Sequence, residues 1–238
     1  MLSNNQIKHI KSLHQRKYRK QQGLFIVEGD KLVEELIDSD FEIKEIYATK
    51  EWNAISDFVE VSNKDLERIT AFKTPNKVLA VVRLKSFSVN DLDLNGKLSL
   101  VLDNINDPGN LGTIIRTGLW FGIENFILSE KCVELYNPKV VQSSMGGIFK
   151  TNIVYTDLKV FLTSSDLPSF GAYLGGENIY EMVKPKEGLI VMGSESHGIS
   201  AELESSITNK ITIPGSGKME SLNVGIACGI ICSELSKV

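Results

Sequence analysis

The feature that most constrains the fold is a series of short apolar segments that alternate with helical patterns in residues 98–235. The segment LSLVLDN at 98–104 is almost wholly apolar, which is typical of a strand buried on both faces of a sheet. Further strands are expected at 125–129, 152–155, 171–175, 189–193 and 210–214, and helices at 111–122 and 221–235. Alternation of this kind predicts an α/β fold with a parallel sheet and helices on both faces.

The first 85 residues predict a smaller α/β unit of their own. Helical patterns cover 3–15 and 30–37, with Asp30 as a possible N-cap, and strands are expected at 24–29, 42–49 and 77–84. A polar, turn-rich stretch then separates this unit from the longer one. We therefore expect a domain at 1–85, a linker at 86–97 and a second domain at 98–238.

Composition excludes several classes of protein. Hydrophobic residues make up 42% of the 238 residues and charged residues 24%, as in ordinary globular proteins. No apolar run approaches the roughly 18 residues of a membrane helix, and the first residues lack a signal-peptide core. Cys228 and Cys232 are four residues apart, which is neither redox nor zinc spacing. We expect a cytoplasmic protein with buried free thiols, no membrane contact and no metal.

Charge is distributed unevenly along the chain. The net charge is −4, yet residues 1–27 contain six lysines and arginines and no acidic residue. A basic arm on an acidic body suggests a polyanion bound at one end, although a solvated helix end would look the same. The candidate RNA-binding residues are Arg16, Lys17, Arg19 and Lys20.

Three strand ends carry polar residues and glycines, at the place where open parallel sheets bind ligands. In the first, residues 104–116, Asn110 is placed to cap the next helix, whose free N–H groups can hold an anion. Arg116 lies inside that helix among apolar residues. An arginine there is seldom buried without a partner, so either an acid pairs with it or it has a functional role.

The second strand end is VMGSESHGIS at 191–200. Gly193 would let the backbone approach a ligand closely, and Glu195 follows it as either a functional or a simply solvated carboxylate. His197 is a tempting general base, but no partner acid or nucleophile is specified, so an ordinary loop histidine is favoured.

The third strand end, residues 213–229, contains GSGK but lacks the other residues of a phosphate-binding P-loop. Ser221 and Asn223 open the apolar helix that follows. These two residues can cap the helix or bind a ligand there.

Together these segments resemble the SpoU (TrmH-type) family of RNA ribose methyltransferases in the SPOUT superfamily. Asn110 and Arg116 are similar to its asparagine-to-arginine motif, and Gly193 and Glu195 to its G-x-E loop. The third motif resembles I-P-x-x-G-x-x-x-S-L-N-V through Ile213, Pro214, Gly217, Ser221, Leu222, Asn223 and Val224. The similarity spans about 98–235. Residues 1–84 look like the family's frequent N-terminal RNA-binding domain.

The resemblance implies a deep trefoil knot in the last third of the chain and an obligate homodimer. It implies S-adenosylmethionine held by the backbone near Gly193, Ile213 and Leu222, and methyl transfer to a ribose 2′-hydroxyl. The implied catalytic residues are Asn110, Arg116, Glu195, Ser221 and Asn223. The family proposal makes the arginine the proton acceptor; the alternative is that it binds the neighbouring phosphate and stabilises charge on the oxygen, because guanidinium stays protonated.

Several functions stay open at this point. Ribosomal RNA is the first choice of substrate because of the N-terminal domain, and transfer RNA is the second. A non-catalytic RNA-binding ribosome-assembly factor is a further alternative, which the intact set of motif residues argues against. A base methyltransferase of the same superfamily is disfavoured by the Asn–Arg and Ser–Asn motifs.

Overall fold

The computed structural model describes residues 1–236, and the chain divides into two compact units. Unit 1 contains Met1–Lys85 together with Glu134–Phe149. Unit 2 contains Ser86–Val133 and the chain from Lys150 onward.

Unit 1 is built on a four-stranded sheet in the order β1-β4-β2-β3. Its strands are β1 (Leu24–Glu28), β2 (Ile43–Ala48), β3 (Val59–Glu60) and β4 (Val78–Arg83). β4 is antiparallel to both β1 and β2, whereas β3 is parallel to β2. Its helices are α1 (Asn4–Ser12), α2 (Arg16–Gln22), α3 (Asp30–Ile37), α4 (Asn63–Ile69) and α6 (Pro138–Ser144).

The helix expected at 3–15 is confirmed as α1, which ends at Ser12, and α2 begins after the extended Gln15. The predicted N-cap of α3 is wrong. Asp30 is the first residue of α3 and not its cap; Gly29 takes the N-cap position with φ +111°, without a side-chain hydrogen bond. The predicted strands of this unit are confirmed as β1, β2 and β4, while α2, α4, α6 and β3 were not predicted.

The segment Glu134–Phe149 completes the core of unit 1. The ring of Tyr136 packs on Phe25 at 4.4 Å between centroids, and Phe149 meets Phe41 edge-on at 5.3 Å. The hydroxyl of Tyr136 donates to the carbonyl oxygen of Lys85 at 2.5 Å, and burial raises its pKa to about 12. The sequence pattern had placed this segment with the C-terminal domain, because it is distant in sequence from the strands that it covers.

Unit 2 is a six-stranded, wholly parallel sheet in the order β10-β8-β9-β5-β6-β7. Its strands are β5 (Leu98–Leu102), β6 (Asn125–Ser129), β7 (Asn152–Thr156), β8 (Ser169–Asn178), β9 (Gly188–Met192) and β10 (Asn209–Thr212). Its α-helices are α5 (Pro108–Trp120), α7 (Leu158–Ser164) and α8 (Val224–Leu235). The predicted α/β class with a parallel sheet is confirmed.

The segment 86–97, expected to be a linker, packs on unit 2. It contains a short 3₁₀-helix at Val89–Asp91, and Phe87, Leu92 and Leu94 contact the core that includes Val101. This stretch has an apolar side chain at every second or third position, and these side chains pack it against the core of unit 2.

Helices α5 and α8 lie close together because small residues face each other. A β-carbon on Gly225 would lie 3.3 Å from Cγ2 of Thr113, and one on Gly229 would lie 3.4 Å from Cγ2 of Thr117. Larger side chains on α8 would therefore push the two helices apart. This packing fixes the start of α8 beside the start of α5.

Three further observations concern residues 1–236. No helix there is long and apolar enough to cross a membrane, and no three His, Cys, Asp or Glu side chains are grouped as metal ligands. Cys132, Cys228 and Cys232 are all buried and unpaired by disulfides, which confirms the predicted buried thiols.

Candidate active site

Three polar side chains from distant parts of the chain meet at the carboxyl edge of the parallel sheet. The Asn223 side-chain amide donates to Glu195 Oε1 at 2.9 Å and to Asn110 Oδ1 at 3.1 Å. The Asn110 amide donates to the same Glu195 oxygen. Each residue comes from one of the three motif segments, so the predicted convergence is observed for these three.

The start of α5 differs from the prediction. Asp107 is the N-cap, and its carboxylate accepts the backbone N–H of Asn110 at 2.9 Å, with Pro108 as the first helical residue. Asn110 is the third helical residue and not the cap, because proline without an N–H suits the first position. Its side chain is therefore free to reach Glu195.

The Asn223 side chain both caps α8 and joins the polar cluster. Its Oδ1 accepts the backbone N–H groups of Gly225 at 3.0 Å and Ile226 at 3.3 Å, which caps the helix. Its Nδ2 is thereby turned toward Glu195 and Asn110. Ser221 lies exposed outside this cluster and makes no hydrogen bond within residues 1–236.

Glu195 lies in a tight hairpin after β9. Ser194 and Gly198 exchange backbone hydrogen bonds at 3.0 and 2.8 Å. A β-carbon on Gly193 would lie 2.0 Å from the carbonyl carbon of Gly198, so only glycine fits. The sequence pointed to a ligand as the reason for this glycine, but the atoms that crowd it belong to its own loop.

The residues that anchor this hairpin were not predicted from the sequence. Asp103, buried directly after β5, accepts hydrogen bonds from Ser200 N at 2.8 Å and Ser200 Oγ at 2.6 Å. Asn104 adopts a left-handed φ of +56° and donates to Ser200 Oγ at 3.0 Å. An aspartate directly after an all-apolar strand was the available signal, because a buried carboxylate requires partners.

Arg116 is exposed on α5 and has no ion pair or hydrogen bond within residues 1–236. The alternative that it merely pairs with a nearby acid therefore finds no support in the described chain. Within residues 1–236 His197 makes local contacts only: its ring Nδ1 lies 2.9 Å from Ser196 Oγ, and its backbone N–H donates to Ser194 Oγ at 3.3 Å. This agrees with an ordinary loop histidine.

The turn before α8 has the character of a ligand site. None of residues 215–222 makes a hydrogen bond within residues 1–236, so the polar groups of this turn are unpaired there. Leu222 is 47% exposed, and Ile213 is partly exposed at the end of β10. Free amide and carbonyl groups beside apolar side chains fit an adenosyl group, which needs both.

The basic N-terminal residues do not form one surface. Arg16, Lys17 and Lys20 are exposed, but Arg19 is only 2% exposed. Arg19 pairs with Glu134 and donates through Nη1 to the carbonyl oxygens of Leu13 and His14, each at 2.9 Å. The prediction that Arg19 binds RNA is therefore wrong, because every part of its guanidinium is used inside unit 1.

Comparison with known proteins decides the family. The sequence model of the SpoU rRNA Methylase family matches residues 97–233, which include all three motif segments. The chain belongs to the SpoU rRNA methylase family. A second model, the MRM3-like substrate binding domain, matches residues 4–80 of this SpoU methylase.

Relatives cover nearly the whole chain. The 23S rRNA (guanosine(2553)-2′-O)-methyltransferase RlmP of Bacillus subtilis is 28% identical, over 98% of this chain and 96% of its own. A TrmH-family structure from Porphyromonas gingivalis is 37% identical with a TM-score of 0.89, covering 99% of this chain and 98% of its own. An AdoMet-bound rRNA methyltransferase structure from Sinorhizobium meliloti is 27% identical with a TM-score of 0.88, covering 99% and 95%.

These findings confirm three predictions from the sequence: the SpoU family, RNA methyltransferase activity, and S-adenosylmethionine as the methyl donor.

Proposed function

We propose that this SpoU methylase transfers a methyl group to a ribose 2′-hydroxyl of ribosomal RNA. The observation that carries the proposal is the meeting of Asn110, Glu195 and Asn223, from three distant segments, at the carboxyl edge of the sheet. The similarity to a 23S rRNA 2′-O-methyltransferase over 98% of the chain favours ribosomal RNA over transfer RNA.

Arg116 supplies the charge that the reaction needs. S-adenosylmethionine, when bound, supplies an electrophilic methyl group on a sulfonium, and a ribose hydroxyl is a poor nucleophile unless its proton is shared. Arg116 is an exposed cation without an acidic partner in the described chain, so it can bind the phosphate next to the target ribose and stabilise charge on the oxygen. Because guanidinium stays protonated, the phosphate or a water accepts the proton.

The asparagines and Glu195 orient the substrate. One Glu195 oxygen accepts from both carboxamides, which fixes their orientation. The second carboxylate oxygen has no hydrogen-bond partner within residues 1–236 and can accept a further bond. Ser221, exposed two residues before Asn223, adds a hydroxyl that can bind ribose or phosphate. Gly193, Ile213 and Leu222 hold the adenosyl part through the tight hairpin and the unpaired turn.

The active unit is a homodimer joined through α5 and α8. Trp120 is 81% exposed and Ile226 is 58% exposed on these helices, which is unusual for such large apolar side chains. Arg116 and Trp120 are four residues apart and share one face of α5. Asn110 lies about 120° around the helix from Arg116, so the two side chains of one subunit point in different directions. In the proposed dimer, a partner that covers Trp120 brings its own Asn110 cluster to Arg116.

Subunit mixing tests this arrangement. R116A and N110A are each expected to be inactive, and a mixture refolded or co-expressed together regains roughly a quarter of wild-type activity, because heterodimers carry one intact composite site. Activity that stays absent in proven heterodimers would place Arg116 and Asn110 in the same subunit's site. A monomer by light scattering would overturn the dimer.

The chain after β9 is proposed to be threaded as the trefoil knot of this family. The parallel order β10-β8-β9-β5 and the anchoring of the Glu195 hairpin to Asp103 support it. We also propose a cytoplasmic location, where ribosomal RNA is available and the three free thiols stay reduced.

The decisive experiment maps ribose methylation in total RNA from cells with and without the gene. One lost 2′-O-methyl in ribosomal RNA, restored by wild type but not by R116A, supports the proposal. A lost site in transfer RNA would replace the substrate, and no lost site with normal cofactor binding would favour the assembly-factor alternative. In vitro, an ionisation near neutrality in the pH–rate profile would argue for another proton acceptor than the proposed phosphate or water.

A further inference from the structure

A groove runs between α1 and α2 on the surface of unit 1. Its volume is about 850 Å³. On α1 it is lined by Asn4, Lys8 and Lys11, which recur at helical spacing, and by the buried Ile7 at its edge. The exposed lysines therefore border an apolar edge where α1 meets the core of unit 1.

The groove is positively charged, and none of the described residues that line it is acidic. Lys8 and Lys11 are exposed and form no ion pair within residues 1–236. The nearest acidic residue in the sequence after the groove is Glu28, which is buried and bonded to Thr70 and Ala71. The whole chain has a net charge of −4, so most of its surface repels a polyanion. The groove is a local basic site that can attract one.

The groove also offers an aromatic surface and amides. Tyr18 of α2 is half-buried in its wall, and Nζ of Lys17 lies 5.9 Å from the ring centroid. Gln15 and Asn5 add carboxamides that can bond base edges. His14 is structural, because its Nε2 donates to the carbonyl oxygen of Ile69 at 2.9 Å and burial lowers its pKa.

We propose that the groove between α1 and α2 binds a single-stranded stretch of the substrate RNA, with Lys8 and Lys11 at its phosphates and a base stacked on Tyr18. Lysines along a groove that tracks a backbone, beside an aromatic ring, are the combination that single-stranded nucleic acid requires. A duplex has its bases already stacked and cannot use Tyr18. The proposal rests on the proposed function only in taking RNA as the substrate.

The test measures binding of a fluorescein-labelled 12-nucleotide RNA to the full chain with S-adenosylmethionine present, at several salt concentrations. The K8E/K11E variant is expected to bind at least about tenfold more weakly at low salt. Its slope of log K against log salt should be flatter by roughly 1.4, because two phosphate contacts are lost. K159E/K186E, with the same charge change on exposed lysines of unit 2, is the matched control and should bind within about twofold of wild type.

Tyr18 separates stacking from charge. Y18F keeps the ring and should bind like wild type, whereas Y18A should lose about tenfold without a change in salt slope. Circular dichroism checks that each variant is folded. An RNA duplex that binds as tightly as the single strand, or K8E/K11E binding like wild type, would overturn the proposal.

Kinetics distinguish this proposal from the proposed function. K8E/K11E should raise KM for a ribosomal RNA fragment and leave kcat and cofactor affinity unchanged. If wild type methylates the fragment and K8E/K11E has an unchanged KM, the groove proposal alone fails. If wild type binds cofactor and RNA but methylates no ribosomal RNA, the proposed function fails while the groove is still supported.

Discussion

Removing one partner of the Arg19–Glu134 ion pair is expected to be one of the most destabilising single changes in unit 1. Arg19 is 2% exposed and the Glu134 side chain 13% exposed. Two carbonyl oxygens, of Leu13 and His14, also accept hydrogen bonds from this guanidinium. Replacing Arg19 by methionine therefore leaves a largely buried carboxylate and two backbone carbonyl oxygens without their donor.

The expected loss is about 3–5 kcal/mol in the free energy of unfolding, as for other buried pairs that lose one partner. That is a large part of the roughly 5–15 kcal/mol that stabilises a folded domain. Removing both charges with R19M/E134Q should be less destabilising than the sum of the single changes, because no unpaired charge is then left inside.

Urea unfolding measures these losses, with the fluorescence of Trp52 as the probe. Trp52 is 3% exposed in unit 1, and W120F removes the second of the two tryptophans, so the signal reports unit 1 alone. Lys50 and Glu60 form an exposed pair at 3.5 Å, and K50A is the matched control that should leave the midpoint unchanged. A loss below about 1 kcal/mol for R19M would refute the assigned structural role.

RNA binding distinguishes this role from the one expected from the sequence. At a temperature where R19M is folded, its salt slope for RNA binding should equal that of wild type, because the buried guanidinium contacts no phosphate. A slope flattened by roughly 0.7 would instead show that Arg19 contributes one phosphate contact.

Three further outcomes are expected. G193A should lower S-adenosylmethionine affinity by more than about tenfold in calorimetry, while the circular dichroism spectrum stays native. The added methyl group would lie 2.0 Å from the carbonyl carbon of Gly198 and force the hairpin open. Unchanged affinity would contradict the assigned geometry. N223A should lose about 1 kcal/mol in unfolding free energy, because the cap of α8 is lost. N223S keeps a capping oxygen and should keep its stability, but it should still lose methyl transfer. A fully active N223S would exclude a role for the amide. The three cysteines are buried, so they should resist a thiol reagent at pH 8 in the native protein and react fully in urea. For Cys228, a hydrogen bond to Cys232 and burial also raise the pKa of the thiol. Fast labelling of the native protein would contradict this expectation.

The sequence alone determined the parts of this protein that depend on neighbouring residues. Runs such as 98–102 and 125–129 show their burial directly, so the strands of the parallel sheet were predicted close to their observed bounds. The motif resemblance also predicted Asn110, Glu195 and Asn223 as one site, and the structure brings them within hydrogen-bond distance.

Only the tertiary structure decided which polar residues are buried and bonded to partners inside the fold. Arg19 stands in a run of basic residues, and α2 has seven residues, too few for periodicity to show which side is buried. Its partner Glu134 lies 115 residues away, and Asp103 is separated by 97 residues from Ser200, which it holds. Local patterns carry no information about such pairs, because the desolvation of a charge depends on what the folded chain packs around it.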